Sequence, residues 1–225
     1  MKHNNCPYLK NCTIEECDSS CIRYREMRYL IDSSFIPPLY QTPIVLRPQN
    51  DNDAKVFGSL REIKDKIEIF VKEGRNLYLC SKNTGTGKTS SAIKLLLKYF
   101  DRIWSGNGFR TRGLFIHVPT FLLQLKNFDD PLTNKYKKDI IDADLVIWDD
   151  IATSALSDWD YNQLLLYIES RINNKKSNIY TSNITDKTQL EKIIGGRLVS
   201  RIYSTSIKLE FTGKDYRHGT SPDNQ

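Results

Sequence analysis

The chain of 225 residues has no long hydrophobic run, and apolar residues make up only 39% of it. A membrane-spanning helix needs roughly 20 consecutive apolar residues, and no stretch approaches that length. The opening residues, MKHNNCPYLKNC, also lack the apolar segment of a secretion signal. These two absences argue against any membrane association and predict a cytoplasmic protein, in which disulfide bonds are not expected to persist.

Cysteine is scarce in most of the chain, yet four of the five cysteines fall within the first 21 residues, at Cys6, Cys12, Cys17 and Cys21. In a reducing compartment such a cluster indicates a metal site before disulfides, and four thiolates can bind one tetrahedral Zn²⁺. A segment this short cannot build a core of its own, so zinc would stabilise it. The spacing differs from the paired C-x2-C of zinc ribbons. Free surface thiols, or a ligand set in which His3 replaces one cysteine, therefore stay open as alternatives.

The length and charge predict one α/β domain with a small appendage and an affinity for anions. Lys and Arg total 33 against 27 Asp and Glu, and the net charge of +6 permits a nucleic-acid partner. Composition divides the chain into a Cys-rich unit (1–35), a proline-punctuated linker (36–53), a nucleotide-binding domain (54–217) and a polar tail (218–225). The tail is expected to be disordered.

The most informative stretch runs from Asn76 to Phe100, where a short apolar run leads through a glycine-bearing loop into a helical pattern. Strand, loop and helix in this order are the context in which Gly-Lys-Thr binds nucleotide phosphates. Lys88 would reach the β- and γ-phosphates of ATP, and the Thr89 hydroxyl would bind Mg²⁺. The residues predicted to surround the nucleotide in this loop are Asn83, Thr84, Gly85, Thr86, Gly87, Lys88, Thr89 and Ser90.

Lys82 departs from this pattern, because it stands where G-x-x-x-x-G-K-[ST] has its first glycine. A lysine suits a loop position with negative φ and adds positive charge. The departure leaves open a lysine-rich loop that binds no nucleotide.

Two further strand ends carry polar side chains that fit the same chemistry. An apolar strand at 145–148 ends in Asp149 and Asp150. Asp149 is expected to hold the magnesium shell, and Asp150 to polarise or position the attacking water. Asn183 follows the strand predicted at 177–181 and could orient that water or contact the γ-phosphate; a simple turn asparagine is the alternative.

The connection at 101–112 interleaves Trp104 and Phe109 with Arg110 and Arg112. Aromatic and basic residues in this arrangement can stack on and neutralise single-stranded nucleic acid. A solvated loop with ordinary arginines explains the composition equally well.

Taken together, these stretches resemble the AAA+ ATPases that load replicative helicases in bacteria and phages, the DnaC/DnaI type, and the related transposition helper IstB. The resemblance runs from Ile36 to Arg217 and is carried by LYLCSKNTGTGKT, LFIHVPTFLLQLK, LVIWDDI, YIESRINNKKSNIYTSN and GRLVSRI, in that order. It implies an AAA+ P-loop core, an α/β fold in which a parallel five-stranded sheet is flanked by helices, without a C-terminal lid.

The resemblance also implies roles for residues that the patterns single out. Walker A would be Lys88 and Thr89, Walker B would be Asp149 and Asp150, and sensor 1 would be Asn183. Arg201, with Arg197 one helical turn before it, matches the region of the arginine finger, which acts on ATP bound by a neighbouring subunit. For the two arginines, a solvated basic helix face is the alternative.

The function that follows from the resemblance is ATP-dependent loading of a hexameric replicative helicase onto single-stranded DNA. ATP would bind between subunits of a homo-oligomer, an open ring or helical assembly, and hydrolysis would be slow. The Cys-rich unit would bind the helicase. The alternatives are an IstB-like ATPase that assists a transposase, a P-loop kinase, for which the chain lacks an arginine-rich lid segment, and a non-catalytic nucleotide-binding module.

Overall fold

A computed structural model describes residues 21–41, 45–105, 108–126 and 131–216, with the backbone alone for 131–134. The tail predicted at 218–225 lies outside these ranges. No helix of the described residues is long and apolar enough to cross a membrane.

Five strands form one parallel sheet in the order β2-β3-β4-β1-β5. They are β1 (Asn76–Cys80), β2 (Gly113–His117), β3 (Leu145–Asp149), β4 (Ser177–Ser182) and β5 (Ser206–Glu210). The three central strands are buried along their whole length, as expected for a parallel sheet covered on both faces. The predicted α/β fold with a five-stranded parallel sheet is therefore confirmed.

Ten helices are described around this sheet. They are α1 (Ile22–Asp32), α2 (Pro38–Gln41), α3 (Asp51–Asp65), α4 (Ile67–Lys72), α5 (Lys88–Ile103), α6 (Val118–Leu125), α7 (Pro131–Asp142), α8 (Asp158–Asn173), α9 (Lys187–Ile194) and α10 (Gly196–Thr205).

Two stretches with continuous apolar periodicity, each typical of a single helix, are divided into two helices. The pattern from Ala54 to Lys72 forms α3 and α4, which meet at Lys66, a residue with the non-helical angles φ −110° and ψ 28°. The pattern from Leu190 to Tyr203 is broken at Gly195, whose φ of +84° and ψ of 143° are accessible mainly to glycine. Apolar periodicity continues across both breaks, which is why it did not reveal them.

Apolar clusters cover both faces of the sheet. Trp148 and Phe121 belong to one cluster, and Leu96 of α5 belongs to the other. Met27 and Leu30 of α1 are buried in the α5 cluster, so α1 packs on the same core as the phosphate-loop helix. The boundary predicted at residue 35 stays a prediction.

Candidate nucleotide-binding site

The loop at 81–87 joins the central strand β1 to α5, and its backbone explains which glycines it needs. Gly85 (φ +65°) and Gly87 (φ +87°) lie in the left-handed region that favours glycine. Lys82 is exposed and does not lie in that region. The replaced first glycine therefore introduces no left-handed strain into the loop.

Lys88 folds back across this loop from the first position of α5. Its Nζ donates to the main-chain oxygen of Asn83 at 3.1 Å and to Thr86 Oγ1 at 3.4 Å. Only 5% of the residue is exposed. The ammonium group is thus held inside the loop whose backbone would bind phosphates.

Asp149, at the end of β3, is joined to the loop helix by a direct hydrogen bond. Thr89 Oγ1 donates to Asp149 Oδ1 at 2.7 Å, and Thr181 Oγ1 donates to the same oxygen at 2.8 Å. Burial raises the pKa of Asp149, although both hydroxyl groups act to lower it. Hydroxyl and carboxylate oxygens are ligands that Mg²⁺ prefers, and the bound cation would offset the cost of burying this charge. The residues present therefore fit a magnesium ion.

Asp150 adopts φ +55° and its carboxylate faces a different neighbour. Its main-chain N–H donates to Thr181 Oγ1 at 3.0 Å, which fixes the turn after β3. His117 Nε2 lies 3.8 Å from Asp150 Oδ2, while His117 Nδ1 lies 2.8 Å from Thr120 Oγ1. The two predicted Walker B carboxylates thus have separate contacts, one with the phosphate-loop helix and one with a histidine.

Sequence reasoning missed His117 and Thr181. Both stand at or beside the carboxyl end of a strand, and His117 is the register partner of Asp149. Polar residues at this edge of a parallel sheet are a general sign of a binding site, and that rule would have found them. Asn183 reaches the same edge, because it directly follows Ser182, the register partner of Cys80 at the end of β1.

A second feature that the sequence did not reveal is the segment 213–216, which contacts the phosphate loop. Asn83 Nδ2 donates to the Gly213 oxygen at 2.9 Å, and the Tyr216 N–H donates to the Gly85 oxygen at 3.0 Å. A Cβ atom on Gly85 would lie 1.7 Å from Asp215 Oδ1. A side chain at position 85 would therefore displace this carboxylate, in addition to adopting a left-handed φ.

Residues before α3 flank the loop on another side. A Cβ atom on Gly87 would lie 2.8 Å from Leu46 Cδ1. Asp53 Oδ1 accepts hydrogen bonds from the N–H groups of Thr212 at 2.9 Å and Gly213 at 3.2 Å. The segment between the N-terminal helices and α3 and the segment after β5 therefore meet around the phosphate loop.

Arg197 and Arg201 share one partner, Glu169 of α8, to which Arg197 Nη2 donates at 2.9 Å and Arg201 Nε at 3.0 Å. All recorded hydrogen bonds of the two side chains go to Glu169. Within the described residues, none of them reaches the phosphate loop. Both arginines are more than half exposed. Both arginines thus pair with Glu169 and stay open to solvent, and their predicted role as arginine fingers stays a prediction.

The aromatic rings of the connection at 101–112 are engaged by α1. Arg23 Cζ lies 5.4 Å from the centroid of the Trp104 ring, and Tyr29 meets Phe109 edge to face with centroids 5.3 Å apart. Arg112 pairs with Asp144 through its Nε atom. These contacts favour a structural role for the connection over a stacking platform for nucleic acid.

The predicted zinc site falls mostly outside the described residues. Cys6, Cys12 and Cys17 are not among them, and Cys21, just before α1, is a half-buried free cysteine. Within the described ranges, no group of three or more His, Cys, Asp or Glu residues could hold a metal ion. Zinc binding by the four cysteines stays a prediction.

No protein-family model matches the chain, and no curated protein matches its sequence. Solved structures do match. A DnaC helicase loader is 23% identical with a TM-score of 0.63, over 74% of this chain and 94% of that one. DnaI is 20% identical with a TM-score of 0.63, over 81% and 94%. AMPPCP-bound DnaA from Aquifex aeolicus is 17% identical with a TM-score of 0.57, over 80% and 52%. The chain therefore shares the fold of the DnaC helicase loader and of DnaI.

Proposed function

We propose that the protein is an ATPase that loads a hexameric replicative helicase onto single-stranded DNA in the bacterial cytoplasm. The observation that carries this proposal is the 2.7 Å hydrogen bond between Thr89 and Asp149, within a fold shared with a DnaC helicase loader. This contact brings the hydroxyl of the phosphate-loop helix and the carboxylate of β3 to one point. Such a pair is the usual magnesium–ATP site of P-loop proteins.

Each residue of the site has a role that its position supports. The loop backbone and Lys88 would bind the phosphates of ATP, and Thr89 and Asp149 would hold Mg²⁺. When bound, the metal supplies positive charge to the phosphate oxygens. Asp150 would orient the attacking water, whose oxygen bonds to the γ-phosphorus as the bond to the β–γ bridging oxygen breaks. Asn183, at the same sheet edge, would help to place that water.

The two exposed arginines support a proposed site that is completed by a second protomer. The Arg197 side chain is 61% exposed and the Arg201 side chain is 52% exposed, and both residues lie on α10. A guanidinium supplied by a neighbour would stabilise the charge that develops on the transferred phosphoryl group. ATP would therefore bind between protomers of an open ring or helical assembly and control its conformation, with slow turnover.

The N-terminal residues 1–35 would bind the helicase, with zinc held by the cysteine cluster. The support is compositional: four cysteines fall in 21 residues that contain few apolar side chains. The structure leaves three of those cysteines undescribed.

The test combines the full-length protein with a bacterial hexameric replicative helicase, with and without ATP, and measures the mass of the complex by light scattering. Helicase transfer to circular single-stranded DNA is then measured by strand displacement. We expect a stable complex and ATP-dependent transfer, and loss of transfer in Lys88→Ala. Failure to bind the helicase under every nucleotide condition would reject the loader function. ATPase stimulated by double-stranded DNA and a transposase would indicate the IstB-like alternative, and absence of any ATPase a binding module.

A further inference from the structure

Glu169 joins the two exposed arginines into one unit. Its Oε1 accepts from Arg197 Nε at 3.0 Å and from Arg201 Nε at 3.0 Å, and its Oε2 accepts from Arg197 Nη2 at 2.9 Å. The carboxylate belongs to α8 and the arginines to α10, so the contacts connect two helices. Its side chain is only 19% exposed, less than half the value of either arginine. The arrangement is thus a sheltered acceptor beneath two solvent-facing donors.

The two arginines use this carboxylate differently. Arg197 is bidentate, with Nε and Nη2 on the two oxygens, a geometry that fixes the plane of the guanidinium. Among the hydrogen bonds recorded for the described residues, the Arg201 guanidinium donates only through Nε. Both terminal nitrogens of Arg201 are therefore available to a ligand, whereas the fork of Arg197 is already used.

A surface arginine loses side-chain entropy when one rotamer is selected, and two cations one helical turn apart repel each other. A carboxylate that contacts both groups reduces each of these costs before any ligand arrives. It leaves a net charge of +1 at the outer face of the cluster, since two guanidinium groups share one carboxylate.

We propose that Glu169 is a positioning residue, which fixes the orientation of the Arg197 guanidinium and directs Arg201 toward the ATP bound by the neighbouring protomer. This inference rests on the proposed function, because it requires a nucleotide site shared between protomers. It assigns the phosphate contact to Arg201 alone and gives Arg197 and Glu169 indirect roles.

The cluster differs from an ordinary surface ion pair, and the chain offers one for comparison. Glu191 and Lys187 lie one turn apart on α9 with a single contact of 3.6 Å. Such exposed pairs contribute little. Glu169 instead makes three hydrogen bonds to residues 28 and 32 positions away on another helix.

The test uses full-length protomers that are inactive alone. A donor with Lys88→Ala lacks the lysine for ATP but offers its arginines, and an acceptor with Arg201→Ala retains its ATP site but offers no finger. A mixture should recover ATPase at interfaces where donor meets acceptor. Adding Glu169→Gln to the donor should lower the recovered rate about tenfold, as expected for a misplaced catalytic group. Adding Glu169→Gln to the acceptor instead should leave the recovered rate unchanged, because the acceptor already lacks Arg201.

Glu191→Gln in the donor is the matched control and should preserve recovery. Arg197→Lys in the donor keeps the charge but removes the bidentate fork, so it should also lower the recovered ATPase rate. This variant tests the inference if Glu169→Gln does not fold. Equal losses from Glu169→Gln in donor and acceptor would show a general structural role. Full recovery with both donor variants would likewise overturn the inference. If the parent mixture recovers nothing, the shared ATP site of the proposed function is itself wrong.

Discussion

Asp149 is buried in the candidate site, and hydroxyl groups donate both of its recorded hydrogen bonds. No ion pair of the described residues includes it. Its pKa is raised, first by burial, so the nucleotide-free fold disfavours the charged form more than water does. A raised carboxyl pKa means that stability falls as pH rises from the ordinary carboxyl range through the raised value. Above the raised pKa the full cost of the charge is present.

Asp149→Asn should therefore stabilise the nucleotide-free protein, because the amide keeps a hydrogen-bond acceptor without the charge. A relief on the order of 1 kcal/mol would raise Tm by about 2–4 °C for a chain of this size. The same variant should lose the added stability that Mg²⁺-ATP gives the parent protein. Thermal unfolding at pH 7, with and without Mg²⁺-ATP, measures both effects. The exposed Asp65→Asn is the control, and a lower Tm for nucleotide-free Asp149→Asn would contradict the role assigned to burial.

Two positions of the phosphate loop should respond in opposite ways to small substitutions. Lys82→Gly should change the Kd for ATP by less than about threefold, because Lys82 is exposed and free of left-handed strain. Gly85→Ala should weaken ATP binding at least about tenfold, because φ +65° is strained for alanine and its Cβ would meet Asp215. Isothermal titration with a non-hydrolysable ATP analogue compares them. A loss for Lys82→Gly as large as that for Gly85→Ala would show that the Lys82 side chain itself contributes to ATP binding.

At the scale of elements, local patterns predicted the phosphate loop and the acidic strand end, whereas the parallel sheet was implied by the resemblance to helicase loaders. Short apolar runs that end in polar residues are typical of buried strands. The sequence did not predict the partners that one element supplies to another. Arg171 lies in a polar run typical of a helix end, yet it is fully buried and donates to the main-chain oxygens of Ile140, Ala143 and Ser177. Such contacts depend on how elements pack, which no local window contains.

The outer face of α8 carries a further prediction. Leu166 is 59% exposed and stands three residues before Glu169, so both lie on one face of the helix. If this face meets a second protomer, Leu166→Glu should weaken ATP-dependent self-association at least about tenfold, since it places a charge in an apolar contact. Sedimentation velocity with a non-hydrolysable ATP analogue measures it. Ile69→Glu, at a similarly exposed apolar position on α4, should associate normally. Unchanged self-association of Leu166→Glu would show that α8 is not part of the interface.

For the whole molecule, α1 connects the Cys-rich segment to the nucleotide-binding core. Met27 and Leu30 are buried against that core, and the Ser34 oxygen accepts a hydrogen bond from the Phe115 N–H of the edge strand β2 at 2.7 Å. Residues 21–35 therefore stabilise the core whatever the preceding residues bind. Removing residues from the N-terminus in two steps should separate stability from partner binding.

A chain that begins at Cys21 should keep its Tm and its affinity for ATP, because α1 remains on the core. It should lose bound zinc, measured by mass spectrometry of the metal, and helicase binding, because Cys6, Cys12 and Cys17 are gone. A chain that begins at Ile36 should also lose about 3–6 kcal/mol of stability, since two buried side chains contribute about 1.5–3 kcal/mol each. Full-length Cys17→Ser should reproduce the loss of zinc and helicase without the change in Tm. If the chain that begins at Cys21 still binds the helicase, the binding site for the helicase lies in the described part of the molecule. The cysteine cluster would then not be needed for helicase binding.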